Sequence, residues 1–174
     1  MTEAQRLAAE AHDLRQDGRL AEAEERYRAA LAAADPRDWW TSELHAEYGA
    51  LLAQMHRPSE AALQLERSLQ LELKAAKDEA DPAVVKARYL LGEHYLGMGE
   101  AESARRVVAP SLQDAGRPLA WIVEAEALYL SGSVTAARAA GDRALALAAD
   151  AAQRSRIRER LGPLWEGEGS GPDE

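Results

Sequence analysis

Four alanines, Ala23, Ala61, Ala104 and Ala137, each sit at the same place in a pattern that the chain repeats four times. Twelve residues before each stands a small residue: Ala11, Gly49, Gly92 and Ala125. Three residues after that comes a large apolar one: Leu14, Leu52, Tyr95 and Leu128. Five residues before each anchor lies Gly18, His56, Gly99 or Gly132. Seven and eight residues after it lie a small residue and a leucine: Ala30-Leu31, Ser68-Leu69, Ser111-Leu112 and Ala144-Leu145. A repeat at such a period restricts the fold more than any other feature of the chain, because one unit cannot bury its apolar face alone.

The columns describe helix–turn–helix units. Small residues let two helix backbones approach closely, and the large residue beside them fills the groove between. Glycine in the connection supplies the left-handed backbone that ends the first helix. His56 is the exception in that column; histidine tolerates this backbone better than most residues. Pro58 suits the first turn of the helix that follows. Asp35-Pro36, Asp81-Pro82 and Gly116-Arg117-Pro118 separate the units. The columns predict helices near 4–16, 20–34, 41–55, 58–79, 83–97, 100–114, 119–131, 134–149 and 150–161. Pro110 falls within the sixth and should kink it. In the last, Ala152, Ile157 and Leu161 are expected to cover the end of the array.

These columns resemble the tetratricopeptide repeat family. The first unit matches through Leu7, Ala11, Leu14, Gly18, Ala23, Tyr27 and Ala30, the third through Leu91, Gly92, Tyr95, Gly99, Ala104, Val108 and Ser111. The fourth matches through Trp121, Ala125, Leu128, Gly132, Ala137 and Ala144, but Gly141 stands where a large residue belongs, which predicts loose packing of that helix. The anchors are 38, 43 and 33 residues apart. The long step is similar to the extended repeats of kinesin light chains; helix-favouring residues from Glu60 to Lys77 favour a long helix there over a longer loop. The resemblance implies an all-α, right-handed superhelical array of about four hairpins plus a C-terminal capping helix. As one domain it would span 1–165, with units near 4–37, 38–81, 82–117 and 118–149, the cap at 150–161, and a disordered acidic tail at 166–174.

Composition narrows the function. The 174 residues carry 21 Lys and Arg against 30 Asp and Glu, a formal charge of −9. Such a surface repels phosphate backbones and anionic lipid, so neither nucleic acid nor membrane is an expected partner. No Cys is present, which excludes disulfides, a thiol nucleophile and thiolate metal sites. His12, His45, His56 and His94 have no partner at metal-ligand spacing, and no metal or cofactor is expected. Paired carboxylates such as Glu24-Glu25 read as solvated helix faces, and neither a phosphate-cradling loop nor a nucleophile elbow occurs, so no catalytic residue is expected. The Arg154, Arg156, Arg158 and Arg160 cluster reads as the polar side of the capping helix, with a patch for an anion or acidic partner as the alternative. Met1-Thr2-Glu3-Ala4-Gln5-Arg6 lacks the pattern of a secretory leader, and a cytoplasmic location is expected.

Family resemblance implies a concave groove lined by the first helix of each hairpin. By offset from the small residues it should be formed by Ala8, Ala9, His12 and Arg15, then Ala46, Glu47, Ala50 and Ala53, then Tyr89, Leu90, Glu93 and Leu96, then Ile122, Val123, Glu126 and Tyr129. Its C-terminal half should be the apolar one. The expected partner contacts are Tyr89, Glu93, Leu96, Ile122, Glu126 and Tyr129, facing a basic or amphipathic segment of another protein. Leu90, Leu96 and Val123 could equally be buried between units. Secondary candidates are His12, Arg15 and the Trp39-Trp40 pair: on one helix the two indoles point about 100° apart, so either one packs against the first unit and the other is partly exposed, or both serve packing between repeats. Of the positions that hold a chaperone tail's carboxylate in some family members, only Lys86 is suitable here; Ala8, His12, Glu47 and Leu90 are not. The expected function is that of a scaffold or adaptor. A self-associating homo-oligomer and a sensor of a small peptide signal are the alternatives.

Overall fold

A computed structural model describes residues 1–113 and 117–166. The tail beyond Glu166, the last residue of the helix expected over 100–114 and the two residues 115–116 that follow it lie outside the described residues. All regular structure among them is helical. Within the span expected as one array, the chain divides into two compact units, one ending at His94 and one beginning at Tyr95.

The first unit holds α1 (Glu3–Gln16), α2 (Leu20–Ala33), α3 (Thr41–Gln54), α4 (Pro58–Ala75) and most of α5 (Pro82–Gly97). Thr2 opens α1 with a capping box: its hydroxyl accepts from the Gln5 amide while the Gln5 side chain accepts from the Thr2 amide. Gly18 and His56 end the first helix of each hairpin at φ 76° and 57°, the left-handed backbone the turn requires. The two hairpins share a core of Leu7, Ala11, Tyr27, Leu44, Tyr48, Leu51 and Leu52. Gly49 of α3 packs directly on α4: a Cβ there would stand 3.0 Å from Leu65 Cγ and 3.2 Å from the Ala61 carbonyl. The small-residue column is thus a requirement of backbone approach.

Polar groups join the two hairpins around that core. Tyr27 and Tyr48 stack with centroids 5.9 Å apart. The Tyr27 hydroxyl donates to Glu47 at 3.2 Å, and the Tyr48 hydroxyl donates to Glu24 at 3.3 Å. Glu24, buried on α2, also takes Arg57 and Arg28, each at 2.6 Å. A carboxylate in so dry a place needs these cations to offset its desolvation. Burial, helped by the Glu47 carboxylate, pushes the Tyr27 phenol up to about 12.

The second unit holds the end of α5, then α6 (Ala101–Val108), α7 (Pro118–Leu130), α8 (Val134–Ala146) and α9 (Ala151–Arg160). Gly99 and Gly132 repeat the left-handed turn at φ 75° and 77°. The anchors Ala104 and Ala137 are fully buried, as are Ala23 and Ala61 in the first unit. At Pro110 the α-helix gives way to a 3-10 turn, Ala109–Gln113, since proline has no amide to continue the ladder. Arg105 donates to buried Glu124 at 3.0 Å, joining α6 to α7.

Several expectations are corrected. Helix α4 ends at Ala75 and not near 79: Ala76 is extended, and Asp78 and Asp81 accept from backbone amides in a separate turn. Even so, α4 is the longest helix of the described residues, at 18 residues. The covering side of α9 is Ile157 and Leu161, whereas Ala152 is exposed. Packing at Gly141 is tight: Leu164 and Trp165, on and just after a 3-10 turn (Gly162–Leu164), fill the place of the missing large side chain. Arg138 fixes that turn by donating to the Leu164 carbonyl at 2.6 Å.

Candidate interaction groove

In the first unit, α1, α3 and α5 line a groove of about 450 Å³. Of the positions expected on it, His12, Arg15, Ala46, Glu47, Ala50, Ala53, Leu90 and Glu93 are there. The floor is made of small residues because Ala46, Ala50 and Ala53 stand beside Gly49 along α3, and all four line the groove. Charges of both signs occupy the walls. His12 Nδ1 is 3.7 Å from Glu47, and Lys86 Nζ is 3.5 Å from Glu43. Arg15 reaches the Glu47 carbonyl at 3.4 Å. The His94 ring nitrogen lies 2.7 Å from the Pro58 carbonyl. His45 is not in the groove. It is half-buried against Gln64 at 2.8 Å, and burial lowers its pKa.

The predicted contacts of the second unit divide. Leu96, Glu126 and Tyr129 meet in a cleft of about 230 Å³, together with Leu130, Pro163 and Leu164. Tyr129 and Leu130 are 41% and 59% exposed. Ile122 is corrected: it is 6% exposed and packs with Ala125, Ala137 and Ile157 in the core. Val123 is fully buried too. Glu126 is no free carboxylate, because Arg160 of α9 donates to both its oxygens, at 2.8 and 2.6 Å. In the first unit, Tyr89 is half-buried and Glu93 faces the groove.

Trp39 and Trp40 do not lie on a helix. Arg37 and Asp38 turn the chain there, with the Arg37 amide donating to Asp35 and the Asp38 amide to the Asp35 carbonyl. Thr41 begins α3 only after them. Trp40 packs on the core of the first unit, whereas Trp39 is 82% exposed. Arg154, Arg156 and Arg158 are exposed on α9. Among the described residues no three of His, Asp and Glu converge as metal ligands, and no helix is long and apolar enough to cross a membrane.

No protein-family model matches the sequence, and no curated protein matches it. Solved structures do. The chain is similar to BtubC (BKLC) from P. vanneervenii, with 19% identity, a TM-score of 0.74, and 92% of this chain and 71% of that chain covered. It is similar to a kinesin light chain with nearly identical TPR-like repeats from Podospora anserina, with 16% identity, a TM-score of 0.73, and 95% and 88% covered. For PilF of Pseudomonas aeruginosa the values are 24%, 0.61, 92% and 72%. The likeness is one of fold: the chain has the tetratricopeptide-repeat fold, built of helix–turn–helix units.

Proposed function

We propose that the protein is a non-enzymatic interaction module, a scaffold or adaptor that takes an extended or helical segment of a partner protein along the groove of its first helices. The observation that carries this is the match between the register of the repeat and the groove. Eight of the surface positions read from the small-residue column of α1, α3 and α5 line one cavity, whose alanines are Ala46, Ala50 and Ala53 and whose remaining lining is largely charged. A floor without bulk admits a partner's backbone, and charges of both signs set its register. The partner is an amphipathic segment with basic residues, whose approach the net charge of −9 favours. In the first unit it runs past Tyr89 and Glu93; in the second unit Leu96 and Tyr129 form a separate apolar site of their own.

A photo-crosslinking residue at Ala50, in the groove, and at exposed Glu25 of α2 tests this in the native host. The expected result is a discrete crosslinked protein from Ala50 that is lost on Glu47→Lys and Glu93→Lys. Crosslinking from Glu25 alone would overturn it.

Tyr129, Leu130 and Val134, at 41%, 59% and 39% exposure, support a second reading, self-association through this apolar surface. Sedimentation at rising concentration, with Leu130→Asp as comparison, distinguishes the two. A monomer at every concentration excludes the second.

A further inference from the structure

Trp39 has no structural task that explains its exposure: Trp40 supplies the packing, and Trp39 is left 82% exposed. Its indole forms one wall of a cleft of about 400 Å³ between α3, the end of α4, the Ala76–Asp81 turn and α5. The cleft has an apolar floor of alanines, among them Ala46, Ala75 and Ala87. Carboxylates stand at its edges. Glu43 is held by Lys86 at 3.5 Å. Glu72 accepts from the Ser42 hydroxyl, and Asp81 accepts from the Ala83 amide at 2.9 Å. Among the described residues neither Glu72 nor Asp81 has an ion-pair partner.

We propose that this cleft receives an arginine side chain of a partner protein. An aliphatic stem lies on the alanine floor, as long charged side chains do when they cover apolar surface. The guanidinium then stacks on the Trp39 face while its N–H fork turns to Glu72 and Asp81. Cation–π attraction and charge-assisted hydrogen bonds act on the same group from two sides. Arginine suits this better than lysine, because its planar cation stacks and is more weakly hydrated than an ammonium. Glu72 and Asp81 against the paired Lys86 and Glu43 leave the cleft a net acceptor of positive charge. An exposed tryptophan beside such a slot has the character of a binding hot spot. The inference deepens the partner-binding reading and rests on it only for the arginine's being carried by a protein.

The test is a titration of the ¹⁵N-labelled full chain with acetyl-Gly-Arg-Gly-amide, following the Trp39 indole N–H. The citrulline tripeptide, which keeps the shape and loses the charge, and the lysine tripeptide are run alongside. A saturable shift is expected with arginine and not with citrulline. The double change Glu72→Gln and Asp81→Asn keeps both acceptors and should weaken binding about fivefold or more, the factor that corresponds to one charged or cation–π contact. Glu102→Gln, on an exposed helix face elsewhere, should leave binding unchanged. No shift, an equal response to citrulline or lysine, or full binding by the double variant would overturn the assignment. The tripeptide is too short to need the groove, so its failure leaves the Ala50 crosslinking result standing, and the converse holds.

Discussion

Trp165 lies so close to Gly141 of α8 that even a methyl group there would press on it: a Cβ would stand 3.1 Å from the indole Cζ2 and 3.2 Å from Leu164 Cδ1. In the other hairpins the same column holds Tyr27, Leu65 and Val108, all buried. The fourth therefore takes its large side chain from beyond the repeat. Trp165→Ala should cost about 2–4 kcal/mol, the cost of emptying a mostly filled site. Gly141→Leu alone should cost about 1–3 kcal/mol by overpacking. Combined, the leucine occupies the space the indole vacates, and the double variant should be clearly more stable than the sum of the two predicts. Additive losses in thermal melts would contradict this account.

The Arg160–Glu126 pair should help to hold α9 on α7. Its geometry is bidentate and both side chains are about two-thirds or more covered, at 32% and 26% exposure. Arg160→Ala should cost about 1 kcal/mol, and the exchange Glu126→Arg with Arg160→Glu should restore part of it. Thermal denaturation at low and high salt checks both, with the larger loss expected at low salt. Equal stability of the parent and Arg160→Ala would count against it.

Ala104 is fully buried on α6 at an anchor position. Ala104→Leu should lower stability by about 1–3 kcal/mol or more, because three added heavy atoms have no free space to enter. An unchanged melting temperature would contradict the register.

Tyr27 should give the protein a limb of alkaline instability. Its folded pKa, about 12, lies above the unfolded value near 10, so the folded state holds the proton longer. Its contribution is full below pH 10 and is lost as the pH rises from there to about 12. Urea titrations across that range should show a steeper loss in the parent than in Tyr27→Phe. Parallel curves would sink the prediction.

Much of this fold was legible because its determinants are local and repeated. The anchors Ala23, Ala61, Ala104 and Ala137 and the turn column from Gly18 to Gly132 each report a backbone requirement, and the structure places both sets where the columns put them. The end of α4 was harder to read, since Lys77 to Glu79 favour helix and only the Asp78 and Asp81 side chains draw the backbone into a turn. Trp165 was missed because its partner is remote in sequence, although an empty large position at Gly141 and an unassigned tryptophan were both visible. Ile122 was misplaced because an offset rule transferred between repeats ignores the covering by Ile157 and Leu161. Glu126 looked available for a partner because sequence spacing does not show which arginine of α9 will reach it.

The four turns share one further property. At Gly18, His56, Gly99 and Gly132 the chain takes a backbone that is the mirror image of its ordinary one. Three of these sites use the one achiral residue, and His56 alone meets the cost of being an L-amino acid there. For a chemically synthesised chain these are the positions where handedness works against the fold. A D-residue finds its preferred conformation in such a turn, and at His56 inversion of one stereocentre would turn a strained link into a relaxed one without altering the side chain's composition.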